Sequence, residues 1–435
     1  MERSSQQPDR RKTLSISPKS FLVRGAVAVT GCGALLLGMI TAGAAPASAA
    51  ALPCGYTATT SIKLTANINC TGDTTDNGIN IGASDITVNL NGHSILGPGA
   101  NNMTQGIADN LTSSTVYNDV TIENGTISNF YGDIVLEGDP GGSDLTGAVV
   151  EKITTTNDRL ETGYGLFGGG LSGASIHNLS ISDADYGVDL EDSQASTVSH
   201  NQLQSPFFGL TDSEGFRNTW SDNTLSNVND YGVGTEDATA AVVKSNTFSG
   251  GLGGSGIFDS DSSGTSITDN TMKGIGEGIG SIDSSDDTIG SNKGSTAAFG
   301  IYTEDSTDFS LTGNQFSGSE YGIETDCPVG ELLKGNTTNH NSDVGVFVYT
   351  STNECQSGVT YSATLDNNTA NDNRFGLYSQ VVASGSGNRA TGNSVVNCYQ
   401  VSCTTGGTRE GAKVPAPAHR PPRMAQTSTT SRTRY

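Results

Sequence analysis

Helical periodicity is what this 435-residue chain lacks first. Nowhere between residues 78 and 403 do apolar residues recur at the 3.6-residue spacing of a helix, so helix-based architectures are excluded there. Basic residues are also scarce, 22 Lys and Arg against 45 Asp and Glu. Twelve of the 22 lie in residues 1–24 or beyond 408, which leaves residues 25–408 with 10 basic against 42 acidic side chains, a net −32. Such a surface repels nucleic acid and anionic membranes. Apart from Gly25 to Ala45, no stretch is apolar for long enough to span a bilayer. Histidine is rare, and no histidine neighbours a cysteine at zinc-ligand spacing.

What the chain has instead is glycine, 57 of them, and repetition. From residue 186 to 397 one phrase recurs: YGV at Gly187, FGL at Gly209, YGV at Gly232, SGI at Gly256, EGI at Gly278, FGI at Gly300, YGI at Gly322, VGV at Gly345 and FGL at Gly376. The intervals run from 22 to 24 residues with one of 31, a period that signifies a solenoid. A second phrase, apolar-x-x-Asn-x-apolar, recurs around Asn201, Asn223, Asn246, Asn270 and Asn314. Between the phrases lie Ser, Thr, Asp, Asn and Gly, which favour turns over helix. Short alternating runs such as YGIYT and YGIET suit strands. One rung is therefore two or three short strands joined by turns, and stacking pairs each strand in parallel with its copies, about 4.8 Å apart. Asn201, Asn223, Asn246, Asn270, Asn292, Asn314, Asn336, Asn368 and Asn393 are expected to stack as a ladder of side-chain amides at one bend.

These repeats resemble those of the right-handed parallel β-helix proteins of the pectate-lyase-like class, in particular secreted proteins built from short β-helix repeats. The resemblance covers residues 78 to 397. It implies an all-β fold, one right-handed parallel β-helix of about a dozen rungs, with a substrate groove along the outer face of one sheet. The class's catalytic patterns are mostly missing: there is no Gly-His-Gly, no Asp-Asp pair on an outward strand face and no Arg-x-x-Arg.

Four regions follow in chain order. Residues 1–49 carry six basic residues, an apolar run and Ala47-Ser48-Ala49, the form of a secretory signal with a small-residue cleavage site. Residues 50–77 read as an N-terminal cap, 78–403 as the β-helix, and 404–435 as a disordered basic tail. In ITVNLNGHSILG, Asn91-Gly92 turns one strand into the next and His93 sits in that turn in a structural role. An exported chain with an even number of mature cysteines favours disulfides, and locality pairs Cys54 with Cys70, Cys327 with Cys355 and Cys398 with Cys403.

The outward face of the strand that follows each repeat glycine is where side chains can meet a ligand. Strict alternation from the inward apolar residue makes the positions one before, one after and three after the glycine inward, and two and four after it outward. Phe258, Tyr302, Phe347 and Tyr378 are then exposed rings suited to stacking on sugars. Glu304, Glu324 and Asp326 form the one carboxylate cluster with glycosidase-like spacing. One position further on, Asp192, Glu214, Asp237, Asp261, Asp283 and Asp305 share a slot. Asp261, Asp283 and Asp305 are the candidate ligands for Ca2+, the cation that oxygen-only sites select, with an ordinary Asx-turn as the competing account. The functional reading is a secreted protein that binds extracellular polysaccharide or serves a surface-structural role. The alternatives are a polysaccharide-degrading hydrolase or lyase and an exported metal-handling β-helix.

Overall fold

The computed structural model describes residues 51–109, 115–139, 144–156, 163–251, 253–296, 298–351, 355–403 and 416–417. The expected signal segment and nearly all of the expected basic tail lie outside these residues. Among the described residues the one helical segment is a 3-10 turn, Ala100–Asn102, and every strand pairing is parallel. The fold is a parallel β-helix, as the repeats imply. One long sheet takes a strand from each rung, fifteen in all, in sequence order from Tyr56–Ala58 to Val396–Tyr399. The other walls are shorter strands such as Thr219–Ser221 and Thr224–Ser226, which pair with Val242–Lys244 and Thr247–Ser249 of the next rung.

Residues 50–77 are not a separate cap. Tyr56–Ala58, Ile62–Lys63 and Ile68–Asn69 pair in parallel with Ile79–Ile81, Thr87–Asn89 and Ser94–Leu96, so this stretch is the first rung itself. The Asn-Gly corner between Thr87–Asn89 and Ser94–Leu96 forms as expected, with φ of 53° at Asn91 and 78° at Gly92.

The repeat glycine owes its place to a close approach. A Cβ on Gly300 would lie 2.4 Å from the carbonyl oxygen of Gly322, and one on Gly278 would lie 2.1 Å from that of Gly300, so no other residue fits without moving the next rung. The same Cβ at Gly187 or Gly209 would also strike Leu203 or Leu225 of the core, so the glycine slot faces inward. The following residue is inward too: Val188, Leu210, Val233, Ile257, Ile279, Ile301 and Ile323 all belong to the central apolar column. Strict alternation is therefore broken at each glycine, and the residue before it turns outward. This corrects the expected inward placement of that position.

At the bend, each Asn amide nitrogen donates to the next Asn and to a backbone carbonyl. Asn270 Nδ2 lies 3.0 Å from Asn292 Oδ1 and 2.9 Å from the Val243 carbonyl, while its backbone N–H donates to the same Asn292 oxygen at 2.9 Å. This ladder runs from Asn201 to Asn368 and ends on Asn388. Asn393, expected as its last member, belongs to a second ladder with Asn341, Asn373 and Asn397. All three expected disulfides are present, with Cα separations of 5.8 Å for Cys54–Cys70, 5.4 Å for Cys327–Cys355 and 6.5 Å for Cys398–Cys403.

The interior also holds carboxyl groups. Asp259 accepts from Thr235 Oγ1 at 2.6 Å and from Ser281 Oγ at 2.9 Å, and Glu331 accepts from Thr303 Oγ1 at 2.8 Å. Burial pushes the Glu331 carboxyl up to about 7 and Asp287, beside Asp259, up to about 9. Burial thus favours the protonated forms of Glu331 and Asp287 over the charged ones.

Candidate functional site: the outer face of the long sheet

Because the residue before each glycine turns outward, the aromatic rings of the repeat phrase line up on the surface. Tyr164 stacks on Tyr186 at 5.0 Å between centroids, Phe208 lies tilted at 4.8 Å from both Tyr186 and Tyr231, and Tyr231 stacks on Phe258 at 6.2 Å. Tyr131 continues the row at 5.9 Å from Tyr164, and Phe207, 44% exposed, packs edge-on against Phe208. Tyr131, Tyr164, Tyr186, Phe208 and Tyr231 are half-buried, each leaving part of its ring in solvent. Strand register places Glu137, Glu191 and Glu236 along the other edge of the same strands, on every second rung. Burial, and then the charge of Glu191, raise the Glu137 carboxyl. Burial raises Asp230, next to Tyr231, to about 6. The result is a lane of rings flanked by acid. Sequence reasoning missed this lane because it assumed unbroken alternation; the signal was the aromatic letter in YGV and FGL.

Further along the sheet the face changes character. Tyr302, Phe347 and Tyr378, expected as exposed sugar-binding rings, are 2%, 1% and 3% exposed, and Phe258 is 7% exposed. Phe258 is covered by Tyr231, and the other three lie on the outer face under one another and their neighbours. Phe299 and Tyr302 sit 5.5 Å apart, Phe347 and Tyr349 4.4 Å, and Tyr378 and Tyr399 4.5 Å, and with Tyr321, Val344, Phe375 and Val396 they form a second apolar cluster outside the sheet. The cause is the same break in alternation, which sets a third large side chain from each strand beside the two expected there.

Glu304, Glu324 and Asp326 lie within this cluster. Glu304 and Asp326 are register partners on adjacent strands, as are Tyr302 with Glu324 and Asp326 with Tyr349. Tyr302 donates its hydroxyl to Glu304 Oε2 at 2.7 Å. Asp326 Oδ1 accepts the Ser351 N–H at 2.8 Å. Burial first, and the neighbouring carboxylates second, drive the Tyr302 and Tyr349 phenols far above their ordinary range, so both remain neutral donors. The arrangement holds neutral phenol hydroxyls as hydrogen-bond donors against the carboxylates. Glu324 and Asp326 are fully buried and Glu304 is half-buried, so only Glu304 reaches solvent in this state.

The acidic slot after the strand forms a row of left-handed corners, with φ of 51° at Asp261, 53° at Asp283 and 47° at Asp305. Asp and Asn tolerate this region better than most residues, which accounts for their recurrence. Burial, followed by the charges of Asp283 and Asp237, raises the Asp261 carboxyl, so the row repels itself mildly. These three side chains do not converge on a point. Among the described residues, the one group of three ligand atoms within 4.8 Å of one another is Asp326 with Cys327 and Cys355. Cys327 occupies the next corner of the same row, at φ 53°. His93, His177, His200 and His340 join no such group.

The family model described as "NosD: Periplasmic copper-binding protein (NosD)" matches residues 122–293 and 253–412. No curated protein matches the sequence. Among solved structures, the periplasmic alginate epimerase AlgG, as a T265N T268M double mutant, is 13% identical over 74% of this chain and 84% of that one, with a TM-score of 0.51. The Azotobacter vinelandii mannuronan C-5 epimerase AlgE4 A-module is 13% identical over 77% of this chain and 87% of that one, with a TM-score of 0.46. Among the described residues no helix is long and apolar enough to cross a membrane.

Proposed function

We propose, starting from the fact that the chain belongs to the NosD family, that it is an exported β-helix protein whose outer face binds a polysaccharide. The observation that carries this reading is the half-exposed lane Tyr131, Tyr164, Tyr186, Phe208 and Tyr231, a continuous row of rings one rung apart. A chain of sugars laid along the solenoid axis would place the apolar faces of its rings on the lane and its hydroxyls toward the flanking carboxylates. Those carboxylates disfavour a polyuronate and favour a neutral or amino-sugar polymer. Retention on immobilised chitosan, cellulose and alginate tests this. Tyr186→Ala with Phe208→Ala should abolish retention on the polymer that binds, and the native chain should not hold to alginate. Retention unchanged by the pair of substitutions would refute the lane as the binding surface.

A second reading, a polysaccharide hydrolase or lyase, is supported by the register pairing of Glu304 with Asp326 beside two neutral phenols. The covered state of the cluster then requires the outer face to open before substrate enters. On this reading Glu304→Gln and Asp326→Asn each cut turnover at least ~100-fold with binding retained. Full activity in both variants would leave the cluster as packing.

The family description also carries copper. Soft thiolate and thioether ligands select copper(I), and neutral imidazoles suit copper as well. All six cysteines among the described residues are in disulfides, Met272 is buried in the core while Met103 is exposed, and the described histidines share no group. The donors among the described residues therefore do not fit a copper ion: the one group of three, Asp326 with Cys327 and Cys355, has both of its sulfurs in a disulfide.

A further inference from the structure

We propose that the ring lane is built for a cationic polymer, an extended β-1,4-linked amino sugar with free amines, whose ammonium groups pair with Glu137, Glu191 and Glu236. This rests on the reading of the lane as a polysaccharide surface and narrows it to one class of polymer. Two periods coincide there. Rings recur on every rung, at Tyr131, Tyr164, Tyr186, Phe208 and Tyr231. Carboxylates recur on every second rung: along the register Glu137, Gly169, Glu191, Ser213, Glu236, Ser260, an acid alternates with a residue that carries no charge.

A rung is about 4.8 Å high, so successive carboxylates stand about 9.6 Å apart along the solenoid axis. A β-1,4-linked sugar chain advances by about one rung per sugar and turns each sugar over relative to the last, so the substituent at the 2-position returns to the same edge on every second sugar. Laid on the lane, an amino-sugar chain seats one pyranose on each aromatic ring and brings an ammonium to the acid edge on every second rung, where a carboxylate stands. A neutral chain brings only hydroxyls to that edge, and a polyuronate brings like charge. The strands Gly132–Glu137, Tyr164–Gly169, Tyr186–Glu191, Phe208–Ser213 and Tyr231–Glu236 hold no Lys, Arg or His that could pair with an anion.

The carboxylates are placed to gain from a cation. Glu137 and Glu191 are half-buried and Glu236 is exposed. Burial and then the charge of Glu191 raise the Glu137 carboxyl, so the acid edge repels itself across two rungs. An ammonium relieves that repulsion and makes a charge-assisted hydrogen bond. Asp185 and Asp230, which precede Tyr186 and Tyr231, add acid at the opposite edge of the Glu191 and Glu236 rungs.

Three hexamers with the same β-1,4 backbone test this, differing at the 2-position: cellohexaose with a hydroxyl, the N-acetylglucosamine hexamer with an amide, and the glucosamine hexamer with an ammonium. Each is titrated into the full chain by calorimetry, at a pH where the amines are charged. The glucosamine hexamer should bind at least about tenfold tighter than the other two, by a margin that shrinks as salt is added. Glu191→Gln with Glu236→Gln should erase that preference at an unchanged melting temperature. Asp222→Asn with Asp269→Asn removes the same charge from exposed corners between the shorter strands and should keep the preference, which separates pairing at the lane from attraction to an acidic surface. Tyr186→Ala with Phe208→Ala should weaken all three hexamers. Equal affinity for the glucosamine hexamer and cellohexaose overturns the proposal, as does a preference that survives the Gln pair or is lost equally in the Asn pair. In those cases binding that still falls in the ring variant leaves the lane standing as a polysaccharide surface. Binding of no hexamer, or binding indifferent to the ring variant, overturns both.

Discussion

Glu331 offers a direct measurement of what the solenoid interior does to a carboxyl group. It is fully buried, it accepts a hydrogen bond from Thr303, and burial lifts it from 4.5 to about 7. The folded chain thus holds a proton that the unfolded chain releases between those two values. Stability from this group is complete below about 4.5 and is lost as the pH rises toward 7, after which it is constant. A difference of about 2.5 pKa units corresponds to about 3 kcal/mol at pH 8. Other interior carboxyls push in the same direction, so the informative quantity is the difference from Glu331→Gln, which keeps the acceptor for Thr303 and cannot ionise. Urea unfolding of both chains at pH 4 and pH 8 measures it. The two should be nearly equal at pH 4, and the variant should be the more stable at pH 8 by up to ~3 kcal/mol. Parallel pH curves for the two chains would show that Glu331 titrates normally and that the interior is wet.

Two further perturbations probe the packing. Gly300→Ala should cost about 1–3 kcal/mol, read from the urea midpoint, because its new methyl meets the Gly322 carbonyl across the rung and cannot be accommodated by a side-chain rotation. Replacing Tyr302, Phe347 and Tyr378 together by Ala should lower stability by at least ~5 kcal/mol and abolish the cooperative unfolding of this part of the sheet, since all three belong to the outer apolar cluster; an unchanged melting temperature would return them to the surface.

The sequence was most legible where the same residue type recurs for a geometric reason. Asn270 and its relatives announce the bend because a buried amide can satisfy both of its neighbours, and Gly300 announces the strand because nothing larger fits. The three disulfides were readable from locality alone. The site was less legible. Tyr186 and Phe208 were assigned to the interior by a strict period of two, and the inward kink at the intervening glycine is a backbone feature that no letter spells out. The same kink crowds Phe299 and Tyr302 onto one face, so rings that alternation exposes are covered instead. The proximity of Asp326 to Cys355 depends on how the 31-residue rung folds back, which spacing alone does not specify.

The recurrence of a 22-residue rung has an evolutionary consequence. Gly278 and Gly300 occupy one slot 22 residues apart, and Asn270, Asn292 and Asn314 keep the same interval. Each rung touches only the one before and the one after. Excising residues 278–299 in frame would therefore join Glu277 to Gly300, bring Asn270 onto Asn314 and leave every other pairing in place. A gene of this kind can gain or lose a whole turn by unequal recombination without inventing a new fold. The length of the solenoid thereby becomes heritable, adjustable in whole-turn increments.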